Sequence, residues 1–249
     1  MSGHSKWHSI KHQKGVADAK RGQLFTKIAR EIIVAVREGG SNQDMNFRLR
    51  LVVQKARDNN MPLDNIDRAI KRGSGEIDGA AFVEMVLEGY GPSGAAILVQ
   101  ALSDNRNRTL ADVRNIFSRN NGNMGEKGSV AWLFESKGMI LVDAKNVDPD
   151  ELALQVIDAG AEDVKVEDNH VEIYTLPQEF ETVRAVLDKE KVPIVSAEIS
   201  MTPSTSLDLD EKEALQTLRL ISKLEDLDEV QEVSSNVNFT EEIMEKYQE

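Results

Sequence analysis

Between residues 139 and 199 the chain shows strand-like and helical patterns in the order strand, helix, strand, strand, helix, strand. This order is the split βαβ arrangement of ferredoxin-like domains. The pair Asp168-Asn169 has the residue types of a hairpin turn, and Asp148-Pro149 has those of a helix start. The predicted elements are strand 139–142, helix 149–159, strands 163–166 and 170–174, helix 178–189 and strand 194–199.

The first 75 residues have a different period, because their apolar residues recur every three or four positions. In the first such stretch Leu24, Ile28, Ile32, Ala35 and Val36 fall on one side at about 100° per residue. Glycine and proline residues separate this stretch from two more. We therefore predict a small bundle of helices over residues 24–37, 46–59 and 63–72.

The remaining segments hold too few elements to fold separately, so we expect them to share one core. Their patterns predict strands 82–90, 95–102, 129–135 and 230–237 and helices 109–119 and 211–224. The predicted class is α+β with three domains, a helical bundle followed by two small α/β domains, at least one of them ferredoxin-like. The predicted boundaries are 1–79 for the basic helical domain and its linker, 80–135 plus 204–249 for a discontinuous α/β domain, and 136–203 for the inserted ferredoxin-like domain.

The net charge of −13 would by itself argue against a nucleic-acid partner, because phosphates attract basic proteins. The charge is unevenly distributed, however. Residues 1–75 contain 15 Lys and Arg against 7 Asp and Glu, or +8, whereas residues 76–249 contain 15 against 36, or −21. Such a contrast indicates that the basic part meets a polyanion, while the acidic part limits indiscriminate binding. Chance drift of charge along the chain is the alternative.

The basic part supplies the candidate nucleic-acid-binding residues, because a dense array of cations can neutralise several phosphates at once. Trp7 either stacks on a base or anchors the arm around it to the bundle. Arg68, Lys71 and Arg72 lie in a last helical turn, where cations suit the helix dipole without any ligand. The candidates are Lys6, Trp7, His8, Lys11, His12, Lys14, Lys20, Arg21, Lys27, Arg30, Arg37, Arg48, Arg50, Lys55 and Arg57.

A second candidate surface lies in two loops, residues 104–109 and 119–129, which combine Asn, Arg and Gly around one predicted helix. Backbone amides in such loops can contact phosphate or RNA. Arg106 and Arg108 are the basic residues that we assign to this surface. Ordinary turn chemistry is the alternative, and composition alone somewhat favours it.

The sequence does not indicate catalytic or metal chemistry. It contains no cysteine, no P-loop and no Gly-x-Ser-x-Gly motif, so we predict a non-enzymatic protein without a cofactor. His4, His8 and His12 share one face if their segment is helical, but nearby lysines and the lack of acidic residues before Asp18 favour phosphate over metal. No apolar run approaches the roughly 20 residues that span a bilayer, and no apolar signal core opens the chain, so we expect no membrane contact and a cytoplasmic location.

Several motifs in the first 135 residues closely resemble those of the YebC/PmpR family. They include Gly3-His4-Ser5-Lys6-Trp7, Leu24-Phe25-Thr26-Lys27, Asn60-Met61-Pro62, Glu88-Gly89-Tyr90-Gly91-Pro92 and Asp104-Asn105-Arg106-Asn107-Arg108-Thr109. The resemblance implies a three-domain cytosolic α/β protein with a helical N-terminal domain, without catalytic residues or a cofactor. The family is described as probable transcriptional regulators that bind promoter DNA, and it also includes the mitochondrial translational activator of cytochrome oxidase subunit one.

Two functions follow from these observations. We predict a nucleic-acid-binding regulator of gene expression of the DNA-binding transcriptional type, and the alternative is a ribosome-associated translation factor that binds ribosomal RNA. The basic helices suit either partner, and no helix-turn-helix recognition helix is evident. The choice between promoter DNA and ribosomal RNA, the target sequence and the oligomeric state stay open at this point.

Overall fold

The structure is a computed structural model that describes residues 18–145, 147–167 and 170–248, with side chains for all of these except 18–20, 167, 241 and 248. The chain divides into two compact units, of which the first comprises the described residues 18–129 and 216–233 and the second 130–215 and 234–248. In chain order the elements are α1 (Asp18–Gly39), α2 (Phe47–Asp58), α3 (Leu63–Gly73), β1 (Val83–Tyr90), β2 (Ala96–Ser103), α4 (Arg106–Arg119), β3 (Asn123–Met124), β4 (Phe134–Asp143), α5 (Pro149–Asp158), β5 (Ala161–Glu167), β6 (His170–Thr175), α6 (Phe180–Lys189), β7 (Ile194–Pro203), α7 (Glu211–Glu225), β8 (Val230–Ser235) and α8 (Glu241–Gln248).

Helices α1, α2 and α3 pack around one apolar core in the first unit. Ile28 and Ile32, which the sequence places on one face of α1, are fully buried together with Leu49 of α2. A close contact joins α3 to α1, because a Cβ atom on Gly73 would lie 2.6 Å from the Cβ of Val36. The three predicted helices therefore form the predicted bundle.

Asn46 lies at the junction of α1 and α2 and is 5% exposed. Its Oδ1 accepts a hydrogen bond from the Leu49 N–H (3.0 Å), which caps the start of α2. Its Nδ2 donates to the carbonyl oxygens of Ala35 and Gly40, both at 2.7 Å. This side chain thus satisfies backbone groups at the beginning of one helix and at the end of the other.

The first unit also contains an antiparallel sheet of the described strands in the order β3-β1-β2-β8. Strands β1 and β2 form a hairpin in which Val83 lies opposite Ser103. Strand β8 comes from much later in the chain, and just before it the Leu102 N–H donates to the carbonyl of Glu229 (2.7 Å). Residues on either side of the second unit therefore share one sheet. The three domain boundaries proposed from sequence stay a prediction.

In the second unit, the described strands form an antiparallel sheet in the order β5-β6-β4-β7. With α5 and α6 as its connections, this is the arrangement of a ferredoxin-like domain. Asp148 caps α5 by accepting hydrogen bonds from the N–H groups of Asp150 and Glu151. The predicted α+β class is confirmed, while the predicted turn residues Asp168 and Asn169 lie outside the described residues.

The prediction of two separate strands, 129–135 and 139–142, is wrong. Strand β4 is one continuous element, and residues 131–133 before it form a single 3-10 turn. Gly138 lies inside this strand, at a position where a Cβ atom would come within 2.5 Å of the Phe180 ring. The glycine therefore makes room for α6.

Two further differences concern helix ends. Helix α4 begins three residues earlier than predicted, because Asn105 caps it through a hydrogen bond from the Arg108 N–H to Oδ1 (3.1 Å). Helix α8 was not predicted, since its polar sequence hides an apolar pair, Ile243 and Met244, that is buried. None of the helices in the described ranges is both long and apolar enough to cross a membrane.

Candidate nucleic-acid interface

Part of the predicted interface lies outside the described residues. The described residues do not include Lys6, Trp7, His8, Lys11, His12, Lys14 or the side chain of Lys20. The other candidates in the bundle divide by the partners of their side chains: some contact a distant acidic segment, some are bonded within the bundle or to the adjoining sheet, and some are exposed.

The first group lies on α1 and contacts residues 225–229, the link between α7 and β8, which we call the acidic turn. Lys27 Nζ donates to the carbonyl oxygen of Glu225 (2.5 Å). Arg30 Nη1 donates to the carbonyl oxygen of Asp228, also at 2.5 Å. Both candidates are therefore engaged by a segment that lies about 200 residues away in the sequence.

Gln23 adds a third donor on the same face of α1, and the sequence reasoning missed it. Its Nε2 donates to the carbonyl of Asp226 (2.6 Å) and to Oδ1 of Asp228 (3.1 Å). Its spacing of four residues before Lys27 places it on the same side of the helix, which is the signal that could have identified it. The three side chains form a row of donors along α1.

The second group is bonded within the bundle or to the adjoining sheet. Arg48 forms ion pairs with Glu38 (2.5 Å) and Glu84, and Lys55 pairs with Glu31 (3.0 Å). Partial burial lowers the pKa of Arg48, but the hydrogen bond and charge of Glu84, together with Glu38, outweigh it, so the pKa is raised. These cations hold the helices and the adjoining sheet together.

Arg50 belongs to the same group, because its guanidinium donates to the carbonyl of Gln43 (2.8 Å) and lies 5.8 Å from the centre of the Phe47 ring. It closes the loop between α1 and α2 onto α2. Arg21 is exposed near the start of the described part of α1.

The third group, which we call the exposed cation set, makes no side-chain hydrogen bond or ion pair with any described residue. Most of its members lie in the last turns of α1, α2 and α3, where they also suit the helix dipoles. The contact between Gly73 and Val36 brings the last turn of α3 alongside the C-terminal part of α1. The set consists of Arg37, Arg57, Arg68, Lys71 and Arg72.

The predicted loop surface before α4 is partly used within the chain. Asn105 serves as the helix cap, which is the ordinary turn chemistry considered above. Arg108 pairs with Glu229 (3.0 Å) and Asp104 (2.7 Å). The hydrogen bond that Arg108 donates to Glu229 and the charge of Asp104 raise the pKa of Arg108. Arg106 is exposed.

The second loop is organised by Glu88, a buried residue of β1 that the sequence reasoning also missed. Its Oε1 accepts a hydrogen bond from the Gly128 N–H (2.6 Å), and its carbonyl accepts one from the Gly125 N–H (2.9 Å). Tyr90 donates from its hydroxyl to the Ser129 carbonyl (3.0 Å). An acidic residue within the apolar run of β1 is the signal that could have identified this role.

Across the described ranges, no group of three or more His, Asp or Glu side chains is placed to hold a metal ion. The three N-terminal histidines lie outside those ranges. His170 lies opposite Asp143 in the second sheet. The backbone N–H of Lys145, its ammonium group and the charge of His170 lower the pKa of Asp143.

Comparison with known proteins connects this arrangement to a family. The model for the TACO1/YebC protein N-terminal domain matches residues 5–76. The model for the TACO1/YebC second and third domain matches residues 82–237. Together they cover the described bundle and all the strands of both sheets.

Relatives match over nearly the whole length. A probable transcriptional regulatory protein of Dehalococcoides mccartyi is 57% identical over 247 residues, 99% of this chain and 98% of that protein. A protein with the same description from Chloroflexus aurantiacus is 55% identical over 250 residues, 99% of each. The crystal structure of a conserved hypothetical protein from Aquifex aeolicus has a TM-score of 0.82 at 46% identity, covering 91% of this chain and 94% of that one. On these matches, the chain belongs to the TACO1/YebC family.

Proposed function

We propose that this chain is a DNA-binding regulator of transcription that acts in the cytoplasm without catalysis or a cofactor. Its exposed cation set contacts the phosphate backbone. The observation that carries the proposal is that these cations are exposed and form no ion pair with a carboxylate of the described chain. The description of its relatives as probable transcriptional regulatory proteins supports the choice of DNA.

Phosphate contacts make the affinity for duplex DNA depend on the salt concentration. Each cation that meets a phosphate of duplex DNA releases condensed counterions and contributes about −0.9 to the slope of log K against log salt. Five such contacts give a slope of about −4.5, so affinity falls about 500-fold between 50 and 200 mM salt. The net charge of −21 on residues 76–249 repels DNA, so binding at other surfaces of the chain is unfavourable.

The test is fluorescence anisotropy of the full chain with a labelled promoter duplex and a shuffled duplex of the same length, over a range of salt. The variant Arg37→Ala/Arg57→Ala is expected to reduce the magnitude of the slope by about 1.8, because two phosphate contacts are lost. The matched control is Lys189→Ala/Lys212→Ala, which removes the same charge at exposed positions outside the first unit. The control slope should equal that of the unchanged chain.

Two results would overturn the proposal. In the first, the control variant weakens binding as much as the bundle variant, which would remove the bundle from the interface. In the second, the promoter duplex binds no more tightly than the shuffled one while the chain cosediments with ribosomes and prefers ribosomal RNA. The translation-factor alternative would then replace transcription.

A further inference from the structure

The acidic turn lies where its charges are unfavourable by themselves. The last carbonyl groups of a helix lack helical partners and carry partial negative charge, so cations rather than carboxylates suit this end. The turn nevertheless places four carboxylates at this helix end. Glu225 is the last residue of α7, and Asp226, Asp228 and Glu229 follow it. The position of the turn therefore depends on donors from elsewhere in the first unit, and α1 provides them.

The donors around the turn have the chemistry of a phosphate site. Lys27 and Arg30 each donate to a carbonyl oxygen of the turn. On α4, Arg108 donates to Oε1 of Glu229 (3.0 Å). An ammonium group and two guanidinium groups are the donors that proteins present to backbone phosphates, whose anionic oxygens accept in the same way. The acidic turn thus offers these cations the acceptors that a nucleic acid would offer.

The turn is anchored at both ends but exposed between them. At its start the Asp226 N–H donates to the Ser222 carbonyl (3.0 Å), and at its end the Glu229 carbonyl accepts from Leu102. The side chains of Asp226 and Asp228 are exposed. The hydrogen bonds that Gln23 and Arg30 donate to Asp226 and Asp228 are exposed, and water competes for such donors, so an arriving polyanion can displace the middle of the turn at low cost.

We propose that the acidic turn is a built-in competitor for nucleic acid. While it is in place, it accepts hydrogen bonds from Lys27, Arg30 and Arg108, and a phosphate backbone can replace it at these donors only by displacing it. Arg108 keeps Asp104 as a second partner. The inference rests on the proposed function, because it assigns a regulating element to the same nucleic-acid-binding surface. Its effect is selectivity: short or weakly bound polyanions meet only the exposed cation set, whereas a ligand held firmly there can also displace the turn.

The first test compares two charge variants of the full chain, using the shuffled duplex as the probe. Asp228→Asn/Glu229→Gln removes two carboxylates from the turn. The control, Asp112→Asn/Glu126→Gln, removes two exposed carboxylates elsewhere in the same unit, so both variants change the net charge by the same amount. We expect the turn variant to bind about fivefold more tightly than the control, since it loses the ion pair of Glu229 with Arg108 and the negative charge of Asp228.

The second test follows the turn directly. Because the chain has no cysteine, Asp226→Cys accepts an environment-sensitive dye at one position. We expect the dye signal to change during duplex titration with the same midpoint as binding. We also expect Lys27→Ala/Arg30→Ala to give the changed signal before any duplex is added, because the variant removes two donors that hold the turn against α1.

Equal affinities for the two charge variants would overturn the inference, and so would a dye signal that saturating duplex leaves unchanged. Both results would leave the proposed function standing, provided that the unchanged chain still binds duplex through the exposed cation set. Failure of the unchanged chain to bind any duplex would instead refute the proposed function.

Discussion

Asn46→Ala is expected to open the bundle, because one side chain holds the junction of α1 and α2. The substitution removes the hydrogen bond that Leu49 donates to Oδ1, and loss of such a helix cap costs about 1 kcal/mol. It also takes a donor from the buried carbonyl of Ala35 and the partly buried carbonyl of Gly40, at about 1 kcal/mol each. The free energy of opening should therefore fall by about 3 kcal/mol.

Hydrogen exchange followed by mass spectrometry measures this change locally. A loss of about 3 kcal/mol makes the amides of α2 exchange about 150-fold faster, while peptides from α5 in the second unit serve as the reference. Asn105→Ala is the matched control, because Asn105 caps α4 through the same kind of bond at an exposed position. Its expected cost of about 1 kcal/mol corresponds to roughly fivefold faster exchange in α4.

The variant Asn46→Asp separates the two halves of the argument. It keeps the oxygen that caps α2 but replaces the donor to both carbonyls with a second acceptor, in a site that is 5% exposed. We expect α2 in this variant to exchange at least as fast as in Asn46→Ala. Exchange at the unchanged rate would refute the role of the donor. An Asn46→Ala effect no larger than that of Asn105→Ala would show that burial adds nothing.

Two further predictions concern the second unit. Gly138→Ala is expected to destabilise it by about 2 kcal/mol, because the added methyl group overpacks β4 against α6; urea unfolding checks this, and Gly22→Ala, which meets nothing within 4 Å, should cause no loss. The lowered pKa of Asp143 means that its carboxylate stabilises the fold above its ordinary pKa and that this contribution disappears as pH falls through the lowered one. Asp143→Asn should therefore be less stable than the unchanged chain at neutral pH and equal to it in strong acid, and a constant difference in urea midpoints would contradict this.

Most helices and strands could be predicted, because their presence depends on the spacing of apolar residues along a short stretch of chain. The bundle helices and the ferredoxin-like order both follow from which faces are apolar. Errors arise where a distant partner decides the outcome. The continuous strand β4 packs at Gly138 against Phe180, which is 42 residues away, and the helix start at Asn105 depends on a cap rather than on periodicity. Sequence reasoning lacks these partners, so it misplaces ends more often than elements.

The candidate interface shows the same division. The sequence shows where the cations are but not which acidic residues they pair with, since most of these partners lie far away along the chain. Lys55 and Glu31 are 24 residues apart, and Arg48 reaches Glu84 across 36 residues. The pair of Arg108 with Asp104 is four residues apart, which is the spacing that helical geometry allows a reader to find.

The contrast between +8 and −21 therefore acquires a different meaning. Taken from the sequence, it separates a basic surface for the polyanion from an acidic remainder that discourages other contacts. In the first unit the two meet, because Glu84 and the acidic turn from the negative part bond to Arg48, Lys27 and Arg30 from the positive part. Charge density along a sequence is thus a poor measure of available charge. The exposed cation set can contact a phosphate directly, because the chain's own acceptors do not engage it. The cations bonded inside the chain must first lose those partners, so the strength of the internal contacts decides when they can bind phosphate.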